Sequence, residues 1–181
     1  LLFFLSFSFS VLANDYFKAL ELFNQRKIEQ SLNFFKKVAD DEKNEKRSDA
    51  MFNLAIIYDN GFGIGVDKTR ALYYYEASAA LSNIYAQYNL GWMYIHGEGV
   101  PENYKDGIKW YTKAAEQGNA DAQNSLGRIY YWGEGVLKDP VEGFKWYKKA
   151  ADQGNALSQF SLGIMYDVGR GVAENNQEAA R

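Results

Sequence analysis

The chain contains no cysteine and a single histidine, His96. The first absence excludes a disulfide framework, thiolate metal ligands and cysteine nucleophiles together. The second excludes a histidine pair or a histidine-rich metal site within one chain. Positive charge is not in excess either: the net charge is −3 over 181 residues. No Lys/Arg cluster resembles a phosphate-tracking stripe, which argues against nucleic acid as a partner. A long apolar run is also missing. The uncharged opening Leu1–Ala13 falls short of the roughly 20 apolar residues that span a bilayer.

What is present is repetition. Gly91 and Gly127, Tyr94 and Tyr130, Trp110 and Trp146, and Gly118 and Gly154 match pairwise, each pair 36 positions apart. A fixed period in this range marks a repeat architecture, in which stacked units replace a single central core. Apolar and aromatic content is ample for folding, so disorder is not the expectation.

Taken in order, Leu1–Ala13 reads as the apolar region of a signal peptide, with Val11 and Ala13 at the small-residue cleavage positions before Asn14. The chain is expected to be truncated upstream, with the mature protein starting near Asn14. No stable membrane insertion is expected after cleavage. Residues 14–47 read as a helix pair of tetratricopeptide-like character. Ala19, Leu20 and Phe23 line the first helix of this pair, and Ile28, Leu32, Phe35 and Ala39 line the second. Ala19 and Ser31 stand where these two helices come close. The charged run Asp40–Ser48 reads as a solvated turn.

Repeats follow at 48–83 (diverged), 84–119, 120–155 and 156–181, the last cut short. In the second copy Ala86, Leu90 and Tyr94 form the apolar stripe of a first helix. Gly91 and Gly127 lie mid-helix, where glycine costs about 1 kcal/mol against alanine, so their recurrence implies a neighbour that needs the space. The Gly-x-Gly turns at 97–99, 133–135 and 169–171 end each first helix with residues that tolerate positive φ. Asp139-Pro140-Val141-Glu142 opens a second helix with an N-cap, a proline at N1 and a glutamate at N3. Asn103 with Asp106, and Asn175 with Glu178, are weaker versions. Gly118 and Gly154 close the units. Leu162, Met165 and Tyr166 would lack full cover in the cut-short copy, so the natural protein is expected to continue beyond Arg181.

Ala-x-Ala-Gln-x-x-Leu-Gly-x-x-Tyr, Gly-x-Gly-Val and Trp-Tyr-x-Lys-Ala-Ala-x-Gln-Gly-Asn together resemble the Sel-1-like repeat family, a branch of the tetratricopeptide-like superfamily. The resemblance implies an all-α fold, a right-handed α-solenoid of antiparallel helix pairs. It further implies an adaptor or scaffold for protein–protein contacts. Bacterial members are often exported. A branch of small secreted members with disulfide-linked repeats has been assigned β-lactamase activity, from which this cysteine-free chain departs.

The residues themselves do not assemble a catalytic set. A phosphate loop wants strand and lysine context that the Gly-Glu-Gly turns lack. Glu98 and Glu134 would sit one repeat apart, too separated for an acid/base pair. His96 reads as a groove or capping residue. Ser125 and Ser161 lack a basic partner, and Trp110 and Trp146 read as core. No cofactor and no metal site are expected.

The positions that vary on the first helices are more informative. Projected onto tetratricopeptide geometry, the concave face carries Asp49, Phe52, Ile56 and Asn60, then Tyr85, Tyr88, Trp92 and His96. It continues with Asp121, Asn124, Arg128 and Trp132, then Leu157, Phe160, Ile164 and Val168. Aromatics with a few polar groups make a protein-binding hot spot, and the same rings could instead pack against the next repeat. The expectation is an exported (periplasmic or secreted), non-enzymatic scaffold that binds a protein or extended peptide in an aromatic-lined groove. The alternatives are a cell-envelope enzyme or accessory acting on peptidoglycan or a β-lactam, and an intracellular adaptor. Oligomeric state is left open.

Overall fold

The computed structural model describes residues 14–171, and every regular element among them is an α-helix. Helix α1 covers 14–24. It is followed by α2 (Ile28–Asp40), α3 (Arg47–Asn60), α4 (Lys68–Ala80), α5 (Ile84–His96), α6 (Tyr104–Glu116), α7 (Ala120–Trp132), α8 (Pro140–Asp152) and α9 (Ala156–Asp167). By its contacts the chain divides into two units, one up to Gln87 and one from Tyr88.

Capping chemistry sets the helix starts. Asp139 accepts from the Glu142 N–H with Pro140 just behind it, and Asn103 accepts from the Asp106 N–H, as the sequence implied. Asp67 does the same for α4. The first helices are capped too: Asn83, Asn119 and Asn155 accept from the N–H groups of Ala86, Ala122 and Ser158. Each such cap satisfies a donor that the helix cannot. The Gly-x-Gly glycines at 61, 63, 97, 99, 133, 135, 169 and 171 all have positive φ. Asn175 and Glu178 lie outside the described residues.

In the first unit, α1 and α2 meet where the Ser31 hydroxyl donates to the Ala19 carbonyl at 2.8 Å. Two details differ from the sequence reading. The side chain of α1 that enters the core beside Ala19 is Leu22, while Leu20 and Phe23 stay part-exposed. The run 40–48 is also not simply a solvated turn. Asn44 is buried, α3 already starts at Arg47, and the Arg47 Nε donates to the Ala39 carbonyl at 3.0 Å. A turn that returns a donor to the end of α2 holds its own centre out of water. Beyond it, Leu54, Ala55, Ala71 and Tyr75 are fully buried between α3 and α4.

In the second unit, the glycines answer to packing. A Cβ on Gly91 would lie 2.6 Å from the Tyr111 ring, and one on Gly107 would lie 3.0 Å from the Gly91 carbonyl. Gly127 and Gly143 repeat this relation with Tyr147 and the Gly127 carbonyl. The two helices of each repeat therefore cross backbone to backbone, with the tyrosine filling the remaining space.

Trp110 and Trp146 are not core, contrary to the sequence reading. Both are half-buried, and the buried ring is the next one, Tyr111 or Tyr147. Lys113 Nζ stands 4.4 Å over the Trp110 ring and Lys149 Nζ stands 4.2 Å over Trp146. A lysine three residues on shares the tryptophan's helix face, so the Trp-Tyr-x-Lys motif writes a cation–π contact into each second helix.

Candidate functional site

The structure places the projected residues on the first helices and sorts them into two groups. One group is occupied in holding successive repeats together. Phe52 is half-buried, its ring 5.9 Å from that of Tyr85. The Tyr88 phenol is hydrogen-bonded to Ser125, and its ring lies 5.5 Å from that of Tyr111. Asp121 accepts from Asn155 Nδ2 at 3.1 Å, and Asn124 accepts from the Ser158 hydroxyl at 2.8 Å. Burial pushes the Tyr88 phenol upward, and the Tyr111 phenol much further, as expected where the charged form would lose its water.

The other group presents open faces. In the first unit these are Ile56, half-buried, Asn60, whose Nδ2 donates to the Ile56 carbonyl at 3.0 Å, and Tyr85, exposed. In the second unit Trp92 is 38% exposed and stacks on His96 with ring centroids 4.4 Å apart. The His96 Nδ1 lies 2.9 Å from the Trp92 carbonyl, so the imidazole serves the last turn of α5. Arg128 forms a forked ion pair with Glu134, 2.6 Å to Oε1. Trp132 is 58% exposed, with Lys138 Nζ 5.8 Å from its ring. Phe160 and Ile164 are exposed on α9. Glu134, read from sequence as a turn residue, thus holds the guanidinium that stands between the two tryptophans in the chain order of the face.

Ser125 and Ser161 also find structural employment. Ser161 donates to the Leu157 carbonyl at 2.8 Å, and the Ser125 and Ser161 hydroxyls offset part of the rise that burial gives the Tyr111 and Tyr147 phenols. Among the described residues no group of three or more His, Asp or Glu side chains is placed to hold a metal ion. No described helix is long and apolar enough to cross a membrane.

Two features escaped the sequence reading. The motif glutamines Gln87, Gln123 and Gln159 each donate to the carbonyl eight residues earlier, Ala79, Ala115 and Ala151, at 3.2, 2.9 and 3.3 Å. The glutamine recurring every 36 positions, at 87, 123 and 159, was the available signal. The second feature is a hollow in the first unit walled by Phe23, Ile28, Ile56 and Phe62. Its signal was Phe62, an aromatic between two glycines where the later repeats carry Glu98 and Glu134.

The Sel1 repeat pattern matches residues 48–83, 84–119, 120–155 and 156–181. Comparison with curated proteins returned no match. Among solved structures, a protective antigen of uropathogenic Escherichia coli with an SLR fold is 38% identical with a TM-score of 0.78, over 83% of this chain and 32% of its own. A Sel1 repeat protein from Oxalobacter formigenes is 33% identical with a TM-score of 0.81, over 91% of this chain and 65% of its own. Cysteine-rich protein B of Helicobacter pylori is 26% identical with a TM-score of 0.50, over 64% of this chain and 85% of its own. The chain therefore spans about a third of the E. coli protein and 65% of the Oxalobacter one. With four matched repeats and an all-helical fold built on their motif contacts, this chain belongs to the Sel1 repeat family.

Proposed function

We propose that this chain is an exported, non-catalytic scaffold that binds a protein segment or an extended peptide on the open face of its first helices. Sel1-repeat proteins generally mediate protein–protein contacts and are typically non-catalytic. The observation that carries the reading is the pair of exposed tryptophans, Trp92 at 38% and Trp132 at 58%, with Arg128, paired to Glu134, on the same helix as Trp132. Tryptophan and arginine dominate binding hot spots because they bury much area while keeping one directional contact. Rings already held by His96 and by the rest of the helix spend little free energy on ordering. Phe52, Tyr88 and Asn124 support the face from beneath, since their polar and aromatic groups are engaged between repeats, and the exposed Asp121 ties α7 to Asn155.

Export rests on the character of Leu1–Ala13, which lies outside the described residues, and draws support from the similar E. coli protein being a protective antigen. N-terminal sequencing of the mature protein should begin near Asn14; recovery of Leu1 there would remove this part. The binding part is tested by cross-linking pull-down from the native compartment with a Trp92→Ala, Trp132→Ala double variant. Partner capture should fall at least tenfold while helical circular dichroism is retained. Unchanged capture by the folded variant would discard the groove.

A further inference from the structure

The α1–α2 turn and the turn after α3 enclose a hollow of about 600 Å³, within the range of about 300–1,000 Å³ seen for ligand sites. Its walls are mostly apolar, with Asn24 and Arg26 as the polar members. Phe23 and Phe62 meet edge to face with centroids 5.7 Å apart, Ile28 and Ile56 close the sides, and Gly63 packs so tightly that a Cβ there would lie 2.6 Å from Ile28 Cγ1. Phe62 remains 44% exposed, so the hollow opens to solvent across an aromatic edge.

Arg26 stands at the rim, in a left-handed conformation with φ 59°. The backbone explains the angle. The Arg26 N–H donates to the Phe23 carbonyl and the Lys27 N–H to the Leu22 carbonyl, both at 2.9 Å, which is the Schellman closure of a helix. The same closure at the ends of α6 and α8 uses Gly118 and Gly154, the residue this conformation favours. Arginine here works against local backbone preference, and no acidic side chain among the described residues pairs with its guanidinium. A cation without a partner at the mouth of an apolar hollow is complementary to an apolar group that carries a nearby carboxylate.

We propose that this hollow is an anchor pocket for a large aromatic or aliphatic side chain flanked by an acidic residue in the bound peptide. The inference rests on the peptide-binding reading above as it applies to the first unit, where Ile56 belongs both to the open face of α3 and to the pocket wall. It names what that face selects: an apolar–acidic pair.

The test uses the full chain, ¹⁵N-labelled, titrated with N-acetyl-Trp-Asp-amide and N-acetyl-Trp-Lys-amide. Saturable shifts should centre on Phe23, Arg26, Ile56, Phe62 and Gly63, with the acidic peptide at least threefold tighter. Arg26→Gly should abolish that preference while raising the thermal unfolding midpoint, since glycine relieves the left-handed site. Phe62→Glu, which installs the residue found at 98 and 134, should abolish binding of both peptides. Absence of saturable shifts at these residues, equal affinity for the two peptides, or binding that survives Phe62→Glu would each overturn the pocket. Tighter saturable binding of decanoate would reassign the hollow to a fatty acid and overturn the peptide assignment. The broader reading is separable. If native partner capture is lost in the Trp92→Ala, Trp132→Ala variant but kept in Arg26→Gly and Phe62→Glu, the groove stands and the pocket falls.

Discussion

The ring of Tyr147 occupies the space beside residue 127: a Cβ on Gly127 would lie 2.6 Å from Tyr147 Cδ1 and 2.8 Å from Cγ. The nearest atoms are at the root of an aromatic side chain, which cannot swing aside without leaving its buried site. Helix propensity favours alanine over glycine by about 1 kcal/mol, while overpacking costs about 1–3 kcal/mol. Gly127→Ala should therefore destabilise the second unit by about 1 kcal/mol, read from the urea midpoint. Adding Tyr147→Leu should recover part of this loss, giving a positive coupling in the double-mutant cycle. A more stable Gly127→Ala would show that the contact yields freely.

Ser82 has φ 64° at the position that Gly118 and Gly154 fill in later repeats. A residue with a Cβ is disfavoured there by about 1–2 kcal/mol, whereas glycine brings about 0.5–1 kcal/mol more unfolded-state entropy. The balance predicts that Ser82→Gly stabilises the chain by about 0.5 kcal/mol. Gly118→Ser should move the melting temperature the other way.

Gln123 is buried, donates to the Ala115 carbonyl at 2.9 Å and accepts from Gln153 Nε2 at 2.7 Å. Truncation to alanine leaves the Ala115 carbonyl short of a bond in a dry site, a cost of about 1–3 kcal/mol, while the exposed Gln153 amide turns to water. Chemical denaturation of Gln123→Ala should show that loss. Amide exchange should speed up at the junction of α6 and α7 before it does elsewhere in the second unit.

Alkali should weaken the second unit through its tyrosines. Burial holds the phenols of Tyr88, Tyr111 and Tyr147 above the ordinary 10.0, Tyr111 most of all. The unfolded chain releases these protons near pH 10 while the folded chain keeps them. Their contribution is thus fully present below about pH 10 and is lost as the pH rises toward the folded values. Urea midpoints followed upward through pH 10 should stay flat and then fall, and Tyr111→Phe should make the fall shallower. An unchanged slope in that variant would count against Tyr111 as the main source.

Much of the fold was legible because the relevant signals are local. The stripe Ala86, Leu90, the cap Asp139 and the positive-φ glycines of the Gly-x-Gly turns each depend on residues within two helical turns. Trp110 and Trp146 were misread because hydrophobic character alone does not say which of two adjacent rings faces inward. Tyr111 and Tyr147 take the interior since Gly91 and Gly127 leave space opposite them, while the tryptophans find a lysine on their own face. The pocket at Phe23 and Phe62 was invisible to periodicity because it lies between two turns, and turns carry no period.

The sequence by itself determined the 36-residue unit, its helix pairs, the caps at Asn103 and Asp139 and the family, since each follows from short-range pattern and from glycine's backbone freedom. Only the tertiary structure decided which side of the first helices is free. Asn124 is half-buried and meets Ser158, a partner 34 positions away, whereas Trp132 stays 58% exposed. Asn124 and Trp132 share one face in a helical projection. Whether a side chain there meets solvent or the next repeat depends on how far the neighbouring helix reaches, a distance that no pattern within a single helix records.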